Sequence, residues 1–299
     1  MPKAHNGDVE LHYETTGDPN GVPLQLIMGL GAQLLTWDDE LCESFADRGF
    51  FVIRHDNRDI GLSSWFDHMP VDAQAVIAAV LSGQPVTPPY TIVDMADDAA
   101  AVLDAVGVES AHVIGASMGG MIAQAEAVHH PARERSLVSI MSTTGDPDVG
   151  QPHDEVAGAL LTPPASSDRA AVIERGVEMG RIIGSPVHFD EDAVRLLAER
   201  EYDRANHPEG VIRQLFAILV QESRTEALRG FAKPSLVIHG DLDRLVDPSG
   251  GVRTAEALPD TELIRLPVAG HDLPRIYWPQ LIERITELAA RADQAAQVA

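Results

Sequence analysis

Gly115-Ala116-Ser117-Met118-Gly119-Gly120 is the stretch on which the reading of this chain turns. Ala111-His112-Val113-Ile114 precedes it, an apolar run short enough for a buried strand. Met121-Ile122-Ala123-Gln124-Ala125 follows, as the first turns of a buried helix. A serine in a G-x-S-x-G turn between strand and helix is held in a strained backbone conformation, with its hydroxyl clear of the carboxyl edge of a sheet. Small residues flank it because the helix must pass close to the strand, where a Cβ would collide. Ser117 is the candidate nucleophile.

Working outward, the flanking sequence alternates strand and helix. Val9–Glu14 alternates apolar and polar like a half-buried edge strand, and Leu24–Met28 is the next strand. Thr36 to Arg48 predicts an amphipathic helix on Trp37, Leu41 and Phe45, closed by Gly49. Phe50–Arg54 is a continuous apolar run, the pattern of a parallel strand buried on both faces. A polar, proline-containing connection over 63–90 carries one short helix, Asp72 to Leu81, and Ile92 to Val106 is helical. After the elbow helix, Pro131 is a stop and Leu137–Met141 a strand. From Ser142 to Arg229 no buried strand is legible, only loops and helices near 168–183, 190–203, 210–221 and 223–229. Alternation resumes with strand 235–240, helix 249–258, strand 262–266 and a helix over 277–292, beyond which 293–299 is expected to fray. The pattern predicts a doubly wound, mostly parallel α/β sheet. Its core spans 1–141 and 231–299, and a helical insertion over 142–230 forms a lid at the carboxyl edge of the strands.

A serine hydroxyl becomes a useful nucleophile when a histidine takes its proton and a carboxylate orients that histidine. In this sheet type those partners follow in the order Ser, Asp, His, each in a loop after a later strand. Three aspartates compete for the acid role. Asp247 precedes Pro248-Ser249 and reads as a helix cap, and Asp241 directly follows the strand-ending Gly240 and reads as a turn residue. Asp243 lies far enough into the loop to reach the base and is the candidate acid. The chain has 12 histidines. His271, after the last strand and beside Gly270, is the candidate base; His239 sits at a strand end, and His129 and His130 close the elbow helix, where positive charge suits the dipole.

Negative charge developing on a tetrahedral intermediate needs preorganised N–H donors. The amide of Met118 is one candidate. The other comes from Met28-Gly29-Leu30-Gly31, with Leu30 chosen and Gly29 as the alternative. Gly29, Trp37 and Leu245 are expected around the substrate pocket, whose apolar neighbours suit an uncharged acyl or alcohol group. Asp56-Asn57-Arg58-Asp59-Ile60-Gly61-Leu62-Ser63 reads as a structural turn. No third glycine or P-loop lysine supports a phosphate loop at Gly29–Gly31.

Composition bounds the rest. The 299 residues are 44% hydrophobic and 23% charged, as in an ordinary globular protein, and the net charge of −24 disfavours nucleic acid or an anionic membrane as partner. Cys42 is the sole cysteine, so no intrachain disulfide forms. The first residues carry no apolar signal core, and no apolar run reaches the roughly 18 residues that span a bilayer, which predicts a cytoplasmic location. No metal or cofactor is expected, the expected partner is a small molecule, and the chain is expected to be a monomer or homodimer.

With these residues in place the chain resembles the α/β-hydrolase superfamily over about residues 8–290. Ser117, Asp243 and His271 fall on its nucleophile, acid and base, and Leu30 and Met118 on its oxyanion-hole donors. Residues 56–63 are similar to its Asp-x-Arg-Gly-x-Gly-x-Ser turn, with Asp59-Ile60 departing from the pattern. Met28-Gly29 stands where many members have His-Gly, a feature shared with bacterial hydrolases related to the anthracycline (aclacinomycin) methyl esterases. The resemblance implies a serine carboxylesterase acting on a small to medium, largely apolar ester. Ser-Met-Gly-Gly elbows also resemble those of cofactor-free perhydrolases and haloperoxidases and of carbon–carbon bond hydrolases, which are the alternatives. A non-catalytic binding protein on this fold would require loss of a triad member, and all three are present.

Overall fold

The structure is a computed structural model that describes residues 2–160, 162 and 165–298. Met1, Leu161, Pro163, Pro164 and Ala299, which fall within the expected core and insertion boundaries, lie outside the described residues.

Eight strands form one sheet: β1 (Lys3–Asn6), β2 (Val9–Thr16), β3 (Val22–Ile27), β4 (Phe50–His55), β5 (Ala111–Ala116), β6 (Glu134–Ile140), β7 (Ser235–Gly240) and β8 (Thr261–Leu266). Their spatial order is β1-β2-β4-β3-β5-β6-β7-β8. β1 and β2 pair antiparallel, β2 runs antiparallel to β4, and every later pairing is parallel. Strand β1 was not expected. It pairs Lys3–Asn6 with Val9–His12, so β2 is the second strand in and not the edge. β4, β5 and β7 are buried along their whole length, which is why their sequences are apolar without alternation.

Helices cover both faces. α1 (Asp39–Ala46) and the terminal α11 (Trp278–Val298) pack Leu41, Phe45, Leu281 and Ile285 against Leu24, Val52, Ile114 and Ile238. On the other face lie α3 (Ile92–Ala105), α4 (Met118–His129) and α10 (Ser249–Ala257), with Met95, Met121, Ile122 and Ala257 against Ile27, Val113, Leu137 and Val237. Side chains alternate across a strand, so each inner strand feeds both layers. The start of α3 is fixed by a reciprocal capping box between Thr91 and Asp94. α11 does not stop at 292. Ala292 is buried, and the next residue, Asp293, lies 3.5 Å from both His112 and Arg135, which ties the helix down there; residues 294–297 continue it with exposed side chains.

The connection between β4 and α3 contains α2 (Ala73–Leu81). Between β6 and β7 come α5 (Asp154–Leu160), α6 (Arg169–Ile183), α7 (Glu191–Arg204), α8 (Pro208–Leu219) and α9 (Thr225–Leu228). α5 was not legible because it buries one apolar side chain, Val156, and so leaves no periodic stripe. Among the described residues, no helix is long and apolar enough to cross a membrane.

Candidate active site

The turn from β5 into α4 sets the geometry. Ser117 has φ 57° and ψ −122°, a conformation that L-residues avoid and that costs on the order of 1–3 kcal/mol. The glycines around it permit the crossing. A Cβ on Gly115 would overlap the Gly119 carbonyl, one on Gly119 would overlap the Ile27 carbonyl, and one on Gly120 would come within 2.6 Å of Ser142 Cβ. The Ser117 amide donates to the Ile140 carbonyl at 2.9 Å and its carbonyl accepts from the Ser142 hydroxyl at 2.8 Å, so the end of β6 and the residues just after it brace the strained residue.

Two loops at the same sheet edge reach this serine. His271 Nε2 lies 2.9 Å from Ser117 Oγ, and His271 Nδ1 lies 2.7 Å from Asp243 Oδ2. With Nδ1–H donated to the carboxylate, the Nε2 lone pair faces the hydroxyl. Asp243 is 2% exposed and all of its acceptor capacity is used. Oδ1 takes the amides of Leu245 and Val246, each at 2.9 Å, while Oδ2 also lies 3.3 Å from His239 Nε2. Burial by itself would push the Asp243 carboxyl up. The charge that His271 can carry, with donors from His239 and His271, outweighs it and holds the group well below the usual carboxylate range.

The competing aspartates go elsewhere. Asp241 pairs with Arg265, and Asp247 accepts the Ser249 amide at 2.9 Å at the start of α10. His239, passed over as a strand-end residue, is the contact that sequence reasoning missed. Its Nε2–H goes to the Val246 carbonyl at 2.8 Å as well as toward Asp243. Gly251 of α10 leaves room for that ring, since a Cβ there would overlap His239 Nδ1.

Gly29 sits against the nucleophile, where an added Cβ would come 2.9 Å from Ser117 Cβ. Among the described residues, neither the Leu30 nor the Met118 amide has an intramolecular acceptor. Leu30 packs beside the cluster that holds Met118 and Met121. Trp37, expected at the pocket wall, is instead 3% exposed and packed with Leu41, Cys42 and Phe45. The helix expected over Thr36 to Arg48 starts only at Asp39, capped by Asp38, so Trp37 precedes it in extended backbone and packs against its apolar face from outside. Leu245 reaches the site through its backbone amide. A cavity of about 580 Å³ opens against the acid loop, lined by Arg181, Gly184, Leu242, Asp243 and Arg244 among others; Ser117 and His271 do not line it.

The turn at 56–63 is structural, as expected. Asp56 accepts the amides of Leu34 at 2.8 Å and Leu62 at 2.9 Å, and Arg58 pairs bidentately with buried Asp98. Its departure from the usual pattern has a partner. Asp59 is fully buried, adopts φ 68°, and forms a bidentate pair with Arg213 of α8 at 2.7 and 2.9 Å.

The α/β-hydrolase fold family matches residues 22–274. The chain belongs to that family. This α/β hydrolase is 31% identical over 292 residues to rhodomycin D methylesterase DauP of Streptomyces sp. (strain C5), covering 89% of this chain and 90% of that protein. It is also 31% identical to rhodomycin D methylesterase DnrP of Streptomyces peucetius, over 90% of this chain and 91% of that one. In three dimensions it is similar to the enol-lactonase from Burkholderia xenovorans LB400, with a TM-score of 0.70 at 22% identity, covering 98% of this chain and 100% of that chain. Hydrolysis is the activity class that the family and these relatives support.

Proposed function

We propose that this α/β hydrolase is a serine carboxylesterase that cleaves a small to medium, largely apolar ester through an acyl-enzyme on Ser117. The observation that carries the reading is the continuous hydrogen-bonded line from Ser117 Oγ to His271 to Asp243, at 2.9 and 2.7 Å. His271 Nε2 takes the hydroxyl proton as Oγ bonds to the ester carbonyl carbon. The same proton passes to the departing alkoxide, and the alcohol leaves. Water then gives a proton to His271 and attacks the acyl carbon; the proton returns to Ser117 Oγ as the acid is released.

Asp243 keeps His271 in the tautomer with Nε2 free and stabilises its charged form. The Leu30 and Met118 amides, both without intramolecular acceptors among the described residues, donate to the oxyanion. Segment 142–230 acts as a cap that walls the pocket and excludes water. Support comes from its grip on the site loops: the Ile183 carbonyl accepts the His271 amide at 2.7 Å, and Ser185 binds both the Val268 carbonyl and Asp272. The methylesterases DauP and DnrP among the relatives favour a carboxylic ester as substrate. The test is hydrolysis of p-nitrophenyl acetate and butyrate by the wild type and by Ser117→Ala. Turnover confined to the wild type is expected, and full activity in the variant would sink the assignment.

A further inference from the structure

The loop that offers Leu30 is held by the 142–230 segment more than by the sheet beneath it. From the core it receives two bonds: Asn57 donates to the Met28 carbonyl at 2.7 Å, and Asp56 accepts the Leu34 amide. From α7, Glu201 accepts the Gln33 amide at 3.1 Å and the Thr36 hydroxyl at 2.9 Å. The Gln33 side chain donates in return to the carbonyls of Glu201 and Ala205 at 2.8 and 2.7 Å. From α8 comes the contact nearest to Leu30. Gln214 is fully buried; its Oε1 accepts the Gly31 amide at 2.9 Å and its Nε2 donates to the Arg58 carbonyl at 2.8 Å.

We propose that Gln214 is a positioning residue for the oxyanion hole: one cap side chain ties the peptide between Leu30 and Gly31 to the turn at Arg58, and by holding the peptide next to the one that carries the Leu30 N–H it restricts how that N–H can turn. The inference rests on the assignment of Leu30 as an oxyanion donor. Three features lock α8 in the register that Gln214 needs. Arg213, its neighbour, is clamped by both oxygens of Asp59. Gly210 lies so close to the Asp59 carbonyl that a Cβ would overlap it. Val211 abuts Gly31, where an added Cβ would lie 3.2 Å from both Val211 methyls. Gly31 has φ 70°, which glycine adopts without steric cost, so its backbone is held by its contacts and not by local sterics. The cap therefore completes the electrostatic part of the site, and its seating is a condition for catalysis. An amide that drifts by about 1 Å from the oxyanion forfeits much of the ~10²–10³-fold that one donor supplies.

The experiment compares wild type with Gln214→Met, which fills similar space and makes neither bond. Ester kinetics are read alongside inhibition by a trifluoromethyl ketone, whose serine adduct carries an oxyanion, and by the matching methyl ketone, which binds as a ground-state ligand. The expected result is a fall in kcat of roughly 10–100-fold with KM little changed. Trifluoromethyl ketone affinity falls by the same factor and methyl ketone affinity is unchanged. A role confined to packing would lower Tm and leave the ratio of the two ketone affinities at its wild-type value, which overturns the proposal. If Gln214→Met does not fold, Gln214→Asn, one methylene too short to bridge both partners, is read on the same ligands with the same two outcomes. Ser117→Ala is the control for the underlying assignment: hydrolysis surviving there refutes the esterase reading. A dead Ser117→Ala beside an unaffected Gln214→Met refutes only the role of Gln214.

Discussion

The parallel sheet has buried carboxylates at both of its ends, Asp243 after β7 at one and Glu126 of α4 and Glu134 of β6 at the other, and the two ends treat them oppositely. At the carboxyl edge, Asp243 is buried with four donors on its two oxygens and is held ionised. At the amino edge, Glu126 near the end of α4 and Glu134 at the start of β6 are fully buried, and neither carboxyl group has a hydrogen-bond partner among the described residues. Burial pushes the Glu126 carboxyl up to about 8, and burial with the neighbouring Glu126 charge pushes Glu134 well above the carboxylate range. Burial alone does not decide whether a carboxylate serves chemistry; the donors aimed at it do. One end is preorganised to keep a charge. The other is built to stay neutral.

The largest effect that tests this contrast belongs to the carboxyl edge. Ser117→Ala is expected to lower kcat on p-nitrophenyl butyrate by about 10⁶-fold, with Tm unchanged or raised because the hydroxyl is not needed for folding. Asp243→Asn comes next, at about 10⁴-fold in kcat, since an amide facing His271 Nδ1 favours the wrong tautomer. Third is the ion pair that ties the 56–63 turn to α8. Arg213→Met strands buried Asp59 without its bidentate partner and is expected to cost about 3–5 kcal/mol, read by denaturant unfolding.

The smallest effect per step of the variable changed concerns the amino edge, where pH is varied. A carboxyl raised from 4.5 to about 8 binds its proton more tightly in the folded state. Its contribution is complete below the unfolded value and disappears as pH rises through the folded one. Glu126 therefore predicts unfolding stability that declines by up to about 1.4 kcal/mol per pH unit across that window. Glu126→Gln should flatten the slope. Asp243 has the opposite sign: its stabilisation is present above the ordinary carboxylate value of 3.8 and is lost as pH falls through its depressed value. An Asp243→Asn variant that left the acid limb of the stability profile unchanged would break the contrast.

The elbow and its two partner loops were legible because each depends on local sequence. Glycines at fixed offsets around Ser117, and an aspartate and a histidine after later strands, are patterns that survive without knowledge of packing. The doubly wound sheet was legible for the same reason, from continuous apolar runs such as Phe50–Arg54. What escaped reading depends on pairs distant in sequence. Gln214 and Gly31 are 183 residues apart, and Asp59 and Arg213 are 154 apart, so no spacing rule joins them. Asp59 did leave a trace as the departure in the turn, but its reason lay in α8. Trp37 was misplaced because an apolar aromatic near the nucleophile and one in the adjoining core leave the same mark in sequence. β1 was missed because a strand of only Lys3–Asn6, with Ala4 alone fully buried, carries almost no periodicity.

The central claim is that Ser117 is the nucleophile of a serine esterase, and a fluorophosphonate probe tests it most directly. After labelling of the folded protein, mass spectrometry of the digest is expected to find one adduct per chain, on the peptide containing Ser117, with loss of ester hydrolysis in step and no adduct in Ser117→Ala. Unlabelled folded protein that still hydrolyses esters, or an adduct on another residue that accounts for the lost activity, would contradict the account.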